Sequence, residues 1–255
     1  MSEVVGGRPA ARSRARQPSQ RVDDAPAFLL HSYAYRETSL IAEIFSRSHG
    51  RVAMVAKGAK RPHSALRSVL ATFQPLRLSW SGGGEVKTLV RAEWGGAPQR
   101  LIGSAMMSAW YLNELLLRLM ARDDAHEAIY DTYIETLARL SSGVGVSAAL
   151  RSFEWALLRE IGYGFDPSVT EGGDPVEAER WYRVQVQGGV EHAQPNDAGK
   201  SGVVPGTTLV ALVEDNFDDV PDEPALRRLL RERLDYHMNG RPLATRRVLH
   251  DLQDL

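Results

Sequence analysis

The chain has 255 residues, 43% hydrophobic and 25% charged, with a formal charge of −1 and no cysteine. That length and balance allow a sizeable core and two domains of an ordinary globular protein. The missing cysteines exclude disulfides, thiolate nucleophiles and Cys-ligated zinc or iron–sulfur centres.

Near-neutrality hides an uneven distribution. Residues 27–98 sum to +6 and residues 99–255 to −9. Between Glu43 and Glu85 stand Arg47, Arg51, Lys57, Lys60, Arg61, Arg67 and Arg77, with no carboxylate among them. A block of one sign costs self-repulsion on a folded domain and answers a partner of the opposite sign. A basic first half beside an acidic second half reads as a nucleic-acid module joined to a part that does not bind nucleic acid.

Residues 1–24, rich in Arg, Ser, Gln, Pro and Gly without periodicity, are expected to form a disordered basic tail. They lack an apolar core, so no secretory signal is expected. From Ala27 the pattern turns to β. Phe28–Tyr35 and Ser39–Phe45 flank Arg36-Glu37-Thr38, the spacing of a hairpin or bulge. Arg51–Lys57 alternates, with Val52, Met54 and Ala56 on one face and Arg51 and Lys57 on the other. Gly58–Ser68, with Lys60, Arg61 and Arg67, is expected as an exposed basic loop. Leu76, Leu78 and Trp80 alternate with Arg77 and Ser79, and Gly82–Gly84 marks a turn. Val86–Ala92 returns with Lys87 and Arg91 expected on one side. Five short strands in about 70 residues indicate a small antiparallel barrel over residues 25–98.

After Pro98 the period becomes helical, and residues 99–255 are expected to be an all-helical domain. Ala105–Met120 reads as a buried central helix with Glu114 and Arg118 paired at i,i+4 on its wet edge. Asn113, Glu114 and Arg118 interrupt this run, and it is too short to cross a bilayer. A cytoplasmic, nucleoid-associated protein is therefore the expectation. Asp124 and Glu127 have capping-box spacing ahead of a stripe of Ile129, Tyr130, Tyr133, Ile134, Leu137 and Leu140. Ser147 is expected to cap a third helix with Leu150, Phe153, Leu157 and Ile161 inside, ended by Gly162 or Gly164. Residues 165–206, rich in Gly, Pro, Asp and Glu, read as a loose insertion with one strand-like piece, Trp181–Val186. Pro224 opens a last helix, with Leu226, Leu229, Leu230 and Leu234 inside and Asn239-Gly240 at its end.

Catalytic motifs fail on spacing. Gly199-Lys200-Ser201 lacks the earlier glycine of a P-loop, since that position is Gln194. His126-Glu127 lacks the second zincin histidine, which would fall at Tyr130. No enzyme activity, metal or other cofactor is expected. Lys and Arg on strands also serve to block edge aggregation, but a purely solubilising face mixes signs. The residues expected to meet a polyanion are Arg36, Arg47, Arg51, Lys57, Lys60, Arg61, Arg67, Arg77, Lys87 and Arg91. Of the aromatics Tyr33, Tyr35, Phe45, Phe73 and Trp80, Tyr35 beside Arg36 is the best stacking platform. Arg241, Arg246 and Arg247 could anchor an acidic partner or compensate helix dipoles.

Several stretches resemble one family. They include Ala27-Phe28-Leu29-Leu30-His31-Ser32, Arg36-Glu37-Thr38-Ser39-Leu40 and His49-Gly50-Arg51-Val52. With them go Val55-Ala56-Lys57-Gly58-Ala59-Lys60, Tyr111-Leu112-Asn113-Glu114, Ile161-Gly162-Tyr163-Gly164 and Gly240-Arg241-Pro242-Leu243. Together they are similar to the bacterial recombination mediator RecO over about residues 26–250. The resemblance implies an N-terminal OB-fold followed by a helical domain. It also implies binding of single- and double-stranded DNA, strand annealing and help in loading RecA. The implied partners are RecR and the acidic C-terminal tail of the single-stranded DNA-binding protein. Many members carry a four-cysteine zinc site in the region of 165–206, which this cysteine-free chain cannot form. Two other readings stay open: an RNA-binding OB module in translation or ribosome assembly, and an adaptor whose helical half is the active part.

Overall fold

In a computed structural model the described residues are 21–246 and Val248. The first half forms β1 (Arg21–Tyr35), β2 (Ser39–Ser46), β3 (Gly50–Ala56), β4 (Pro75–Ser81) and β5 (Val86–Trp94), with a short helix α1 (Ala65–Val69) between β3 and β4. The strands close a barrel in the order β1-β2-β3-β5-β4, and β1 pairs back to β4. All pairs are antiparallel except β3 with β5, where Ala53–Val55 run parallel to Val86–Thr88. This is the OB-fold barrel of an α+β protein. The expected alternation holds: Val52, Met54, Ala56, Leu76, Leu78 and Trp80 are buried, packed with Leu29 and Ile44 inside the barrel.

Three details differ from the sequence reading. β1 begins at Arg21, so residues 21–24 of the expected tail are strand, while residues 1–20 lie outside the described residues. The basic loop after β3 contains α1. Lys87 and Arg91 fall on opposite faces of β5, because the register slips between Ser79 and Trp80. Leu89 and Ala92 both face the barrel core, which leaves Lys87 on the core side of the strand and Arg91 outside.

The second half holds α2 (Ser104–Leu119), α3 (Glu127–Ser142), α4 (Val146–Glu160), α5 (Gly206–Val213) and α6 (Glu223–His237). Glu114 and Arg118 pair at 2.6 Å as expected, but their edge is covered. The Ala244 and Thr245 amides donate to Glu114, and Arg118 donates to the Arg241 and Pro242 carbonyls. The expected capping box at Asp124 is absent. His126 stands at the N-cap of α3 without a capping bond, and Asp124 pairs with its ring at 3.3 Å. Ser147 lies inside α4 and donates to Glu223 at 2.6 Å. Ile134 is exposed, whereas the rest of its stripe is buried.

The region expected to be a loose insertion is ordered. β6 (Trp181–Val184), β7 (Val190–Ala193) and β8 (Val203–Pro205) form a three-stranded sheet in the order β7-β6-β8. Tyr182, Val184, Val190 and Val204 join the helical core. The helical half thus contains a sheet that its Gly- and Asp-rich sequence concealed.

The barrel meets the helices along one seam. β1 and β2 slip register between Leu29 and His31, so Leu30 is skipped. Phe28, Leu30 and Phe45 turn outward into the helical core. Phe28 packs edge-on to Tyr133 at 5.2 Å, and Phe45 meets Tyr130 at 5.3 Å. The skipped Leu30 offers its carbonyl to the Asn113 amide at 2.9 Å, and the Tyr133 hydroxyl donates to Asn113 at 2.6 Å. Burial of each large apolar side chain contributes roughly 1.5–3 kcal/mol.

A second contact locks the seam. Gly50 has φ +62°, and a Cβ there would lie 1.6 Å from the Asp124 carbonyl oxygen of the α2–α3 connection. Only glycine lets that connection lie on the barrel. Gly50→Ala should therefore lower stability by about 1–3 kcal/mol in urea unfolding. Gly84→Ala, where a Cβ meets nothing within 4 Å, should not.

Candidate nucleic-acid interface

A groove of about 930 Å3 crosses the outer barrel face. Its floor is a row from three neighbouring strands: Ile41 of β2 opposite Val55 of β3, and Val55 opposite Thr88 of β5. One wall is the β1–β2 turn with Tyr35 and Arg36; the other is the start of the β3–α1 loop with Lys57 and Arg61. The Lys60 amide donates to the Thr38 carbonyl at 2.9 Å, so the basic loop is pinned against the turn. This brings Arg36 of the β1–β2 turn together with Lys57, Lys60 and Arg61 of the β3–α1 loop, two separate stretches of sequence. Such a turn and strand face are where OB-folds hold oligonucleotides.

The predicted cations divide by pairing. Arg36, Lys57, Lys60, Arg61 and Arg67 are exposed, and among the described residues none has a carboxylate within 4.0 Å. Arg67 stands on α1, outside the groove lining. The other five are engaged. Arg47 reaches Glu127 at 2.5 Å and Asp131 at 2.8 Å. Arg77 is paired with Asp24, Arg91 with Glu93 at 2.7 Å and Lys87 with Asp123 at 2.9 Å. Arg51 has Glu43 at 3.7 Å. The ten cations expected to meet a polyanion are thus a compact cluster of four, Arg67 apart from it on α1, and five spent on internal pairs. Arg47, Arg77 and Arg91 lie away from the groove, on the α3 side and on the β4–β5 side of the barrel.

Electrostatics follow the geometry. The hydrogen bond from Arg47 holds the Asp131 carboxyl below its ordinary range and raises Arg47 in turn. Arg77 does the same to Asp24. Burial lowers Arg51, with Arg122 adding to that effect.

Among the aromatics, Phe45, Phe73 and Trp80 are buried and unavailable. Tyr35 lines the groove with the Arg36 guanidinium 5.2 Å from its ring centroid. Tyr33 is 49% exposed on the same outer face and packs edge-on to His31 at 4.5 Å. Sequence reasoning missed His31 as its neighbour, and Arg122 near Glu43, because neither lies in the basic block.

At the other end of the molecule Arg246 bonds Asp235 at 2.7 Å and stacks over Tyr111, so it serves the fold. Arg241 is exposed, and Arg247 lies outside the described residues.

Comparison with known proteins places this architecture. The family model described as Recombination protein O N terminal matches residues 23–97, and that described as Recombination protein O C terminal matches residues 102–247. The chain belongs to the RecO family. A protein of Ralstonia nicotianae named DNA repair protein RecO is 48% identical over 99% of this chain and 93% of its own length. Proteins of the same name from Aromatoleum aromaticum and Burkholderia pseudomallei are 48% and 45% identical, covering 92% and 98% of this chain and 98% and 94% of their own lengths. The second family match includes the residues of β6–β8. The zinc site of cysteine-bearing members does not fit here. The chain has no cysteine, and among the described residues no three His, Asp or Glu side chains converge as metal ligands. Among those residues no helix is long and apolar enough to cross a membrane.

The Arg47–Asp131 pair joins barrel to helices, and its carboxylate is depressed. Its contribution is present above the unfolded carboxylate pKa of about 3.9 and is lost as pH falls through the lower folded value. Acid unfolding of Asp131→Asn should therefore differ from the parent at neutral pH and converge with it at the lowest pH. A constant difference across the range would reject the pair.

Proposed function

We propose that the chain is a recombination mediator that holds single- and double-stranded DNA on the barrel groove and anneals complementary strands. With RecR it would help load RecA at the nucleoid. The observation that carries this reading is the cluster Arg36, Lys57, Lys60 and Arg61, unpaired and exposed, around an apolar-floored groove beside Tyr35. Evolving a carboxylate partner for each would be easy, as the five paired cations illustrate. Leaving these open fits a polyanion that completes them.

The contacts are to phosphate and so carry no sequence information. Two strands held on one positive face lose much of their mutual repulsion, which lowers the barrier to pairing. No bond is made or broken, so nucleotide and metal are dispensable. Of the three arginines named for the acidic tail of the single-stranded DNA-binding protein, Arg241 is exposed and has no carboxylate within 4.0 Å among the described residues.

Four cluster cations on a single strand predict a slope of log affinity against log salt of about −2.8. Lys57→Glu/Lys60→Glu/Arg61→Glu should weaken single-strand binding by more than about tenfold at moderate salt. It should also abolish annealing without changing the urea midpoint. Unchanged affinity in that variant would reject the groove. Annealing complementary RNA as fast as DNA would favour an RNA-binding role instead.

A further inference from the structure

Arg51 is placed unlike the other paired cations. Its nearest carboxylate oxygen, on Glu43, is 3.7 Å away, beyond hydrogen-bond reach, and among the described residues its side chain makes no hydrogen bond. Its Nε is buried and unpartnered, as is one Glu43 oxygen. The guanidinium side chain is 17% exposed and the Glu43 carboxylate 4%. A half-buried guanidinium with unused donors is costly unless something else fills them.

The other Glu43 oxygen is taken by Arg122, which comes from the α2–α3 connection of the second domain. That connection lies alongside the start of β3. Arg51 and Arg122 form a parallel bridge, and the Asp123 amide donates to the Arg51 carbonyl at 2.9 Å. The neighbouring carboxylates are committed elsewhere, Asp123 to Lys87 and Asp124 to His126. Two guanidiniums therefore share one buried carboxylate. One positive charge is left over, and it reaches solvent through Arg122, whose side chain is 40% exposed.

The pair sits at the far end of the groove face. In β3 the core-facing residues are Val52, Met54 and Ala56, so Arg51, Ala53, Val55 and Lys57 point outward together. Arg51 and Lys57 are six residues apart, roughly 20 Å along a strand. Across the sheet, His31 pairs with Glu43 and Tyr33 with Ile41, so the exposed Tyr33 ring stands between the two cationic ends.

We propose that Arg51 and Arg122, one from each domain, form a second phosphate-binding subsite. A single strand that enters at Arg36, Lys57 and Arg61 would cross Tyr33 and deliver a backbone phosphate to the two guanidiniums. A phosphate accepts paired N–H donors from Arg as a carboxylate does. It would meet the part of the Arg51 guanidinium that reaches the surface, the buried Nε staying beneath it. Glu43 is a positioning residue that holds both side chains on the face. This inference rests on the groove reading and extends its path by the length of β3.

The test uses the full chain with oligothymidylates of about 4 and about 12 nucleotides, within the span of OB-fold sites. Arg122→Ala should weaken binding of the longer strand about fivefold, spare the shorter one, and make the salt slope shallower by about 0.7. Arg122→Lys should restore the slope. An unchanged urea midpoint in Arg122→Ala shows that the loss is not unfolding. If Arg122→Ala leaves slope and length dependence unchanged while Lys57→Glu/Lys60→Glu/Arg61→Glu abolishes binding, the subsite is wrong and the groove stands. If the triple variant binds normally, the groove reading itself fails, whatever Arg122→Ala does.

Discussion

The bulge at Leu30 governs how this molecule is divided between packing and binding. A β-strand alternates faces, so without an extra residue the outward side of β1 would stay in one phase from end to end. Skipping Leu30 lets Phe28 and Leu30 enter the helical core while His31 and Tyr33 beyond the slip stay on the outer barrel face. The freed Leu30 carbonyl is then met by Asn113, itself bound by Tyr133. A net hydrogen bond contributes about 1 kcal/mol, less than the burial of any one of Phe28, Leu30 or Phe45. Apolar area therefore holds the domains together, and the polar pin sets where along β1 the contact must stop.

That boundary explains the fate of the cations. Those near the helical domain meet its acidic surface: Arg47 finds Glu127 and Asp131, and Lys87 finds Asp123. Those at the β1–β2 turn and the β3–α1 loop are beyond its reach and remain open. Exposed pairs of this kind add only about 0–1 kcal/mol each, so their main effect is on charge distribution and not on stability. The acidic half cancels positive charge where the domains touch, while Arg77 and Arg91 are met within the first half by Asp24 and Glu93. The same surplus of carboxylates repels a polyanion from the helices, which confines it to the groove.

The barrel was legible because each strand buries one face, and period-2 alternation survives in Val52, Met54, Ala56 and in Leu76, Leu78, Trp80. The helices were legible from their stripes for the same reason. What failed were properties decided by distant residues. Seven cations can be counted from the sequence, but the partners of Arg47 lie 80 and 84 residues away. The Asp124 spacing looked like a cap, yet the backbone there is committed to Gly50 and the side chain to His126. Lys87 and Arg91 have the spacing of one face until a bulge between them breaks it. Tyr33 and Tyr35 were visible as aromatics, but only the fold leaves the first exposed and sends Phe45 into the core.

The sheet of residues 181–205 poses a separate physical question, since the resemblance implied a metal in this region and the chain has no cysteine to hold one. β7 and β8 are four and three residues long, too short to show alternation in sequence. A three-stranded sheet of that size is marginal in water unless its face is packed. Here Tyr182, Val184, Val190 and Val204 supply that face against the helices. Arg233 of α6 cross-links this region. Its guanidinium donates to the Gln185 carbonyl at 2.8 Å and the Tyr163 carbonyl at 3.1 Å, and it lies 4.6 Å from the Phe165 ring centroid. Glu232, one position earlier, accepts from the Gly202 amide and the Ser201 hydroxyl. Neighbouring residues of α6 thus tie Tyr163, the β6–β7 turn and the entry to β8 through three backbone groups, with the Ser201 hydroxyl and the Phe165 ring adding to the tie.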